Sequence, residues 1–289
     1  MRQITKWKTA APAMLALALT WAPRVWAQGP PPSFSPGDLE RLVSRIALYP
    51  DSLLAQTLAA ATFSDQIPDA AHWADEHHYL TGDALARAIT DDRLPWDPSV
   101  QALLPFPSVL GMMASDMNWT RDLGNAFLAQ QQAVMDAVQS ERHRAWDYGY
   151  LRSSPRVIVR NGPFIEIVPA DPAFVVVPYY DPLVVFAPPR PGFAVGAAIR
   201  FNYGVTIGAA FRPWGWGVTR FGWDTHAVII NNAPWRRTWA NRPTYVHPYE
   251  VRHYEPARRV EGHELHERNE HEREAARSGR DRVEEHRGR

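Results

Sequence analysis

Residues 42–63 read LVSRIALYPDSLLAQTLAAATF, and the spacing of their apolar side chains decides the fold class of the N-terminal half. Apolar residues recur every three or four positions on both sides of the segment 49–51, which is typical of two amphipathic helices separated by a break. Pro50 and Asp51 suit the first turn of the second helix, because its amides have no partner within the helix and attract an acid. The two apolar faces carry Leu39, Leu42, Val43 and Ile46, and then Leu53, Leu54, Thr57, Leu58 and Ala61.

Helix signals extend to both sides of this stretch. Ser35, Pro36 and Asp38 predict the start of the first helix, since a serine oxygen and an acid both serve the free amides of a first turn. Further helices are predicted over residues 68–78, 82–89, 98–104 and 107–116, and the longest over residues 118–145. The sequence therefore predicts a helical module over residues 38–152 that is large enough to bury a core.

Three runs of this module are similar to a known family. They are LVSRIALYPDSLLAQTLAAATF (42–63), PWDPSVQALLPFPSVLGMM (95–113) and NWTRDLGNAFLAQQQAVMDAVQ (118–139). They closely resemble the bacterial domain-of-unknown-function family 3300, and the resemblance continues through residues 165–186. It implies an exported protein of a Gram-negative bacterium, and it implies no established reaction, cofactor or catalytic residue. One departure is Ile67-Pro68, where the family leads us to expect a longer uninterrupted helix.

Residues 1–27 have the pattern of a signal peptide. A positively charged start precedes a short apolar run over residues 10–22, and Val25 and Ala27 supply the small residues expected before a cleavage site. We therefore expect an exported protein in the periplasm or associated with the outer membrane. An uncleaved membrane anchor is the alternative, although the run is short for a bilayer span. Residues 28–37 are rich in proline and predict an extended leader.

Composition excludes several classes of site. The whole chain has 31 basic and 31 acidic side chains, and the signal peptide would remove four cations and no acid. The mature chain then carries 27 cations against 31 acids, which does not favour a nucleic-acid-binding protein. The chain has no cysteine, so disulfides and thiolate sites are excluded. Nor does the mature part contain an apolar run long enough to predict a transmembrane helix.

Residues 153–240 predict a β-rich region. Short runs of β-branched residues bounded by proline predict strands over residues 157–160, 165–168, 174–177 and 184–186. Asp171-Pro172 and Asp181-Pro182 precede two of these runs. Such pairs favour turns, because proline restricts the backbone and aspartate accepts a local amide hydrogen bond. We assign these two acids to turns in preference to catalysis.

An aromatic segment follows, in which Ile199, Phe201, Tyr203, Val205 and Ile207 alternate with polar or small residues. This alternation predicts a strand with one apolar face. The candidate binding residues are the tryptophans among the next glycines and arginines, namely Trp214, Trp216, Trp223, Trp235 and Trp239. Rings of this kind pack in a core, stack on sugars or peptidoglycan, or lie at a membrane interface, and all three interpretations stay open.

The last part of the chain, residues 241–289, interleaves arginine, glutamate and histidine with few apolar residues. Such a composition predicts a disordered tail, because it buries too little surface to offset the entropy of ordering. The weak candidates for zinc or copper ligands are His263, His266 and His271, which recur near helical spacing beside glutamates.

No catalytic motif stands out. Asp51 and Asp97 lie where helix caps or turns favour an acid, and no nucleophile elbow or phosphate loop occurs. We therefore expect an α+β protein that is non-catalytic and that acts as a scaffold or binds a component of the cell envelope, whether peptidoglycan, outer membrane or envelope protein. The alternatives are an envelope hydrolase acting on glycan or peptidoglycan, and a peripheral membrane protein that associates through residues 193–211.

Overall fold

The fold is α+β, with helices in the first half of the chain and small antiparallel sheets in the second. The computed structural model describes residues 29–192, 195–245 and 247. The helices of the first half are α1 (Pro36–Val43), α2 (Asp51–Ala61), α3 (Ile67–Glu76), α4 (Gly82–Asp91), α5 (Pro98–Gln101), α6 (Pro107–Ser115), α7 (Met117–Ala129) and α8 (Gln131–Asp147).

Local capping explains where several helices begin. Ser35 and Asp38 form a capping box, in which each side chain accepts the backbone N–H of the other at 3.2 Å. Proline occupies the first turn of α1, α3, α5 and α6. A backbone N–H at this position has no hydrogen-bond partner within the helix, so its absence in proline costs nothing. Pro68 therefore lies in the first turn of α3, which follows a short 3₁₀ turn, Ser64–Gln66. This interruption explains the departure from the family pattern at Ile67-Pro68.

The prediction of one long helix over residues 118–145 is wrong, because the chain breaks at Gln130. Its backbone leaves the helical region, with φ −138° and ψ 46°. The Gln130 side chain accepts the N–H of Phe34 at 2.7 Å and donates to the Phe34 carbonyl at 3.2 Å. The residue at the break between α7 and α8 is thus hydrogen-bonded to a partner in the leader, 96 residues earlier.

Three small antiparallel sheets form the second half. The strands are β1 (Val157–Asn161), β2 (Ile165–Pro169), β3 (Phe174–Tyr180), β4 (Ile199–Thr206), β5 (Thr219–Gly222), β6 (Ala227–Ile230) and β7 (Ala233–Pro234). β1 pairs with β2, β3 pairs with β4, and β5, β6 and β7 follow in order. The β3–β4 pairing sets Val175 opposite Val205 and is interrupted by a bulge between Val177 and Tyr179.

Asp-Pro pairs start turns, as predicted. The Asp171 carboxylate accepts the N–H of Ala173, and the Asp181 carboxylate accepts the N–H of Leu183, each at 2.9 Å. The second pair starts a short helix, α9 (Pro182–Val185), so the predicted strand over residues 184–186 is wrong. A capping acid followed by proline favours a helical first turn over an extended one.

The helices and the aromatic segment share one hydrophobic core. Leu53, Leu58 and Phe127 of the helices lie in the same buried cluster as Phe211 and Trp214. A second cluster lies between the end of α8 and the β1–β2 and β3–β4 pairs. The described residues from Pro31 onward form one compact unit.

Two sequence expectations concern membranes and the tail. In the described part of the chain no helix has the length and apolarity that crossing a bilayer requires.

The predicted signal peptide lies outside the described residues. So does the predicted tail beyond residue 247, whereas Tyr245 packs against Trp235 with ring centroids 5.3 Å apart.

A buried arginine connects the two halves. Arg142 of α8 has no exposed surface, and its guanidinium forms an ion pair of 2.7 Å with Asp51 at the start of α2. It also donates to the carbonyls of Ala47 (2.8 Å), Tyr49 (2.9 Å) and Ile165 (2.8 Å). Those carbonyls belong to the α1–α2 connection and to β2. Arg142 therefore holds together segments that are more than a hundred residues apart.

Asp51 extends this network to the aromatic segment. Its second carboxylate oxygen accepts the indole N–H of Trp223 at 3.2 Å, and the Arg142 guanidinium lies 5.0 Å from the centre of the Trp223 ring. Burial raises the pKa of the Asp51 carboxyl, and the charge of Arg142 and the N–H of Trp223 oppose that rise. The charges are buried but paired and hydrogen-bonded, which is the condition under which a folded protein tolerates them.

Removing the buried cation should be severely destabilising. We expect Arg142→Met to lower the free energy of unfolding by about 3–5 kcal/mol, because it leaves Asp51 without its counter-ion and the carbonyls of Ala47 and Tyr49 without their donor in the core. Urea denaturation of the purified protein measures this change. The control is Arg160→Met, which removes an ion pair with Glu166 that is largely exposed and should cost less than about 1 kcal/mol. Equal costs for the two variants would contradict the assigned role of Arg142.

Glu141, the neighbour of Arg142 in α8, should make stability depend on pH. Its side chain is buried, one carboxylate oxygen accepts from Arg144 at 2.9 Å, and the other has no hydrogen-bond partner among the described residues. Burial raises the pKa of Glu141 from 4.5 to about 7; the charge of Arg144 opposes this rise and that of Glu40 adds to it. The folded state therefore disfavours the charged form, and stability falls as the pH rises from 4.5 to 7.

We expect Glu141→Gln to remove this loss. Near pH 4 the variant and the parent should unfold at similar urea concentrations, and at pH 8 the variant should be more stable by about 3 kcal/mol, given 1.36 kcal/mol per pKa unit. Urea titrations at a series of pH values measure the difference. Glu166→Gln, at a half-exposed position, is the control. A stability difference that does not change between pH 4 and pH 8 would refute the prediction.

Candidate functional site

A cleft of about 480 Å³ lies between the segment that follows α3 and the strand β4. We call it the β4 cleft. One wall is formed by residues 77–78, 80–82 and 85, the floor by Leu104, Pro105 and Pro107, and the other wall by residues 203–206 and Gly208. Leu85, Leu104 and Pro105 are apolar and buried and Pro107 is half-buried. Histidine, threonine and tyrosine side chains line the rim. The cleft thus offers an apolar base with a polar rim.

The first wall is held by an aromatic stack. The His77 ring packs on Trp73 with centroids 4.0 Å apart, and its Nδ1 lies 2.8 Å from the Trp73 carbonyl oxygen at the end of α3. The Trp73 indole donates to Asp92 at 2.8 Å, which connects α3 to the end of α4. Gly82 then starts α4 with φ +52°, a conformation that favours glycine. These contacts order one side of the cleft.

The second wall is the strand β4 itself. Tyr203 is 47% exposed at its rim. At Gly204 the ring of Phe174 on β3 covers the backbone so closely that a Cβ there would lie 2.5 Å from the Phe174 Cζ. Glycine is therefore required where the two strands and the ring meet. A glycine within a strand pattern indicates a close approach of this kind, and it was the signal in the sequence that could have directed attention to this place.

The predicted tryptophans lie mainly in the core. Trp214, Trp216, Trp223 and Trp235 are between 2% and 9% exposed. The indoles of Trp214 and Trp216 donate at 2.9 Å to Gln101 Oε1 and to the Ala102 carbonyl. Trp239 is half-buried and carries the Arg242 guanidinium 3.6 Å above its ring. These contacts match the core-packing interpretation, because sugar stacking requires an exposed ring face that the four buried rings do not offer.

Trp214 also contributes to a second cleft, of about 670 Å³, beside the end of α4. Ile89, Leu94 and Gln101 line it, and the charges of Asp91 and Arg93 lie at its edge. The Trp214 indole N–H is already committed to Gln101. Trp214 therefore forms part of the wall of this cleft, and its indole N–H is not free to donate to a ligand.

The predicted metal ligands His263, His266 and His271 lie outside the described residues. Within the described ranges, no group of three or more histidine, aspartate or glutamate side chains is arranged to hold a metal ion. The described structure therefore adds no support for a metal site.

A buried histidine–carboxylate contact escaped the sequence analysis. His247 Nε2 lies 2.7 Å and 2.9 Å from the two oxygens of Asp97, which is 150 residues earlier. Asp97 also caps α5 by accepting the N–H of Ser99 at 2.9 Å, as its position predicted. Because the pairing spans most of the chain, no local pattern could have shown it. It anchors the end of the described chain on the helices.

The carboxyls with raised pKa values lie away from the clefts. They are Asp51 and Glu141, each raised by burial. Neither lines the β4 cleft or the second cleft. A glycoside hydrolase needs two carboxyls that flank its substrate, and a raised pKa on the acid is useful only where that substrate can reach it. Among the described residues, no carboxyl with a raised pKa thus lines the β4 cleft.

Comparison with known proteins identifies the family. A family model described as a protein of unknown function, DUF3300, matches residues 35–253. The uncharacterized protein YacH of Escherichia coli strain K12 is 33% identical over 187 residues, which cover 53% of this chain and 30% of the relative's length. The chain therefore matches less than a third of that longer protein. No solved structure matches the chain. With most of its length matched by the family model, the chain belongs to the DUF3300 family.

Proposed function

We propose that this chain is an exported, non-catalytic protein that binds a component of the cell envelope in the β4 cleft. Export is suggested by the charged start, apolar run and small residues of positions 1–27. The proposed location in the periplasm or at the outer membrane is supported by that pattern and by the resemblance noted in the sequence. The observation that carries the binding function is the β4 cleft.

Its geometry suits a ligand of moderate size. The volume of about 480 Å³ falls within the range of roughly 300–1,000 Å³ that is common for ligand sites. Leu85 and Leu104 provide an apolar base, and His78 and Tyr203 are exposed at opposite rims. An exposed tyrosine offers an apolar ring and a hydroxyl together, which is why this residue is common at binding surfaces.

The alternatives have less support. None of the described residues that line the β4 cleft is a carboxylate, whereas an envelope hydrolase acting on glycan normally needs two. A membrane-associated segment at residues 193–211 would need its apolar side chains free. Ile199, Ile207 and Phe211 are instead buried in the two hydrophobic clusters.

The test compares variants in the cleft with a matched variant outside it. We expect Tyr203→Ala and His78→Ala together to reduce retention on peptidoglycan and outer-membrane vesicles about tenfold, which corresponds to about 1.4 kcal/mol of binding free energy. The control is Tyr179→Ala, because Tyr179 is 75% exposed on the same β3–β4 pair and does not line the cleft. Deleting the aromatic segment would be a poor test, since it removes part of the core.

Co-sedimentation with each envelope fraction measures retention, and the thermal midpoint of each variant confirms folding. Normal retention of the double variant would exclude the β4 cleft as the binding site. Failure of the parent protein to bind any envelope fraction would refute the proposed function as a whole.

A further inference from the structure

Strand β4 is paired along one side only. In the part of the chain that the structure describes, its sole partner is β3. The backbone N–H of Ile207 donates to the Ala173 carbonyl at 2.7 Å, so Ile207 directs its backbone groups to β3. In an antiparallel pair, such hydrogen-bonded positions occur at every second residue. Residues 203 and 205 therefore direct their backbone groups to β3, and Gly204 and Thr206 direct theirs to the opposite edge. That edge carries two N–H and two C=O groups without a strand partner.

The unpaired edge faces the β4 cleft. Residues 203–206 all line it. Successive side chains of a strand point to opposite faces, so a cavity that touches four residues in a row runs along the edge and not along one face. Between Tyr203 and Thr206 each face has a neighbour, since Val205 packs on the main cluster and the Phe174 ring covers Gly204. The backbone edge and the exposed side chains of Tyr203 and Thr206 are open to a ligand.

Proteins usually protect such an edge. Prolines, charged side chains or bulges at the edge prevent pairing with other chains. The sequence Tyr203-Gly204-Val205-Thr206 contains neither proline nor charge, and the bulge of the pair lies on the other side of Tyr203, near Tyr179. The open groups of Gly204 and Thr206 are two residues apart, which matches the two-residue repeat of an extended peptide.

We propose that the β4 cleft binds an extended polypeptide segment of an envelope protein, which adds a strand beside β4. The inference rests on the proposed function and specifies its ligand. The peptide backbone exchanges hydrogen bonds with Gly204 and Thr206, and an apolar side chain of the peptide lies on Leu85 and Leu104. Main-chain bonds supply affinity in this mode, and pockets for alternate side chains supply selectivity. A glycan has no matching repeat of donors and acceptors.

The first test uses a synthetic array of random eight-residue peptides as the probe for the full-length mature protein. The tightest peptide is remade in two forms, each with every second amide N-methylated, so that one edge of the peptide loses its donors. We expect one form to keep its affinity and the other to lose at least tenfold, because only one edge of an added strand faces β4. Equal affinity of both forms and the parent peptide would overturn the inference.

The second test changes the protein. Thr206→Pro removes an outward amide that β3 does not use, and proline is tolerated at such edge positions. We expect it to weaken the same peptide at least tenfold in fluorescence anisotropy with little change in thermal midpoint. The control is Thr206→Val, which keeps the amide and should bind as the parent does. Should Thr206→Pro prevent folding, the two N-methylated peptides still decide the question.

The N-acetylglucosamine hexamer is the competing probe. Binding of the hexamer without any array peptide would overturn the peptide inference and leave envelope binding in place. Absence of binding to peptides, hexamer and envelope fractions alike would refute both proposals.

Discussion

The structure depends on the burial of one charged side chain, Arg142. A guanidinium without water is tolerated only if its donors find acceptors, and here they are a carboxylate and three backbone carbonyls. Those acceptors come from the α1–α2 connection, the start of α2 and the strand β2. Asp51 brings in Trp223 from the aromatic segment. The pairing of this one buried charge thus connects the helices to β2 and to the aromatic segment.

This arrangement also determines what is left for function. The tryptophans that a sequence offers as binding residues are used to close the core over α2 and α5. The candidate surface is less conspicuous: among the described residues, it is a strand edge that lines a cleft opposite a histidine-containing connection. Function is therefore proposed at β4, whose cleft-lining edge has no strand partner among the described residues, and not at the residues with the largest side chains.

The sequence predicted those features whose causes lie within a few residues. Ser35, Asp97 and Asp171 were expected to cap or turn the chain, and their carboxylates and hydroxyl accept the amides that follow. The break at Gln130 was missed because its partner, Phe34, lies 96 residues earlier. The Asp97–His247 contact was missed for the same reason. In the candidate site only Gly204 left a signal, because a close approach of another residue demands glycine.

The sequence by itself determined the helical character of the first half, the strands β1 to β4 and the chemistry that is excluded by the lack of cysteine. These follow from periodicity, capping and composition, whereas the family was recognised from the resemblance of whole sequence runs. The tertiary structure alone decided which aromatic rings are buried, which carboxyls have raised pKa values and which strand edge lines a cleft. Those properties depend on what surrounds a residue in space, and its neighbours there come from distant parts of the sequence.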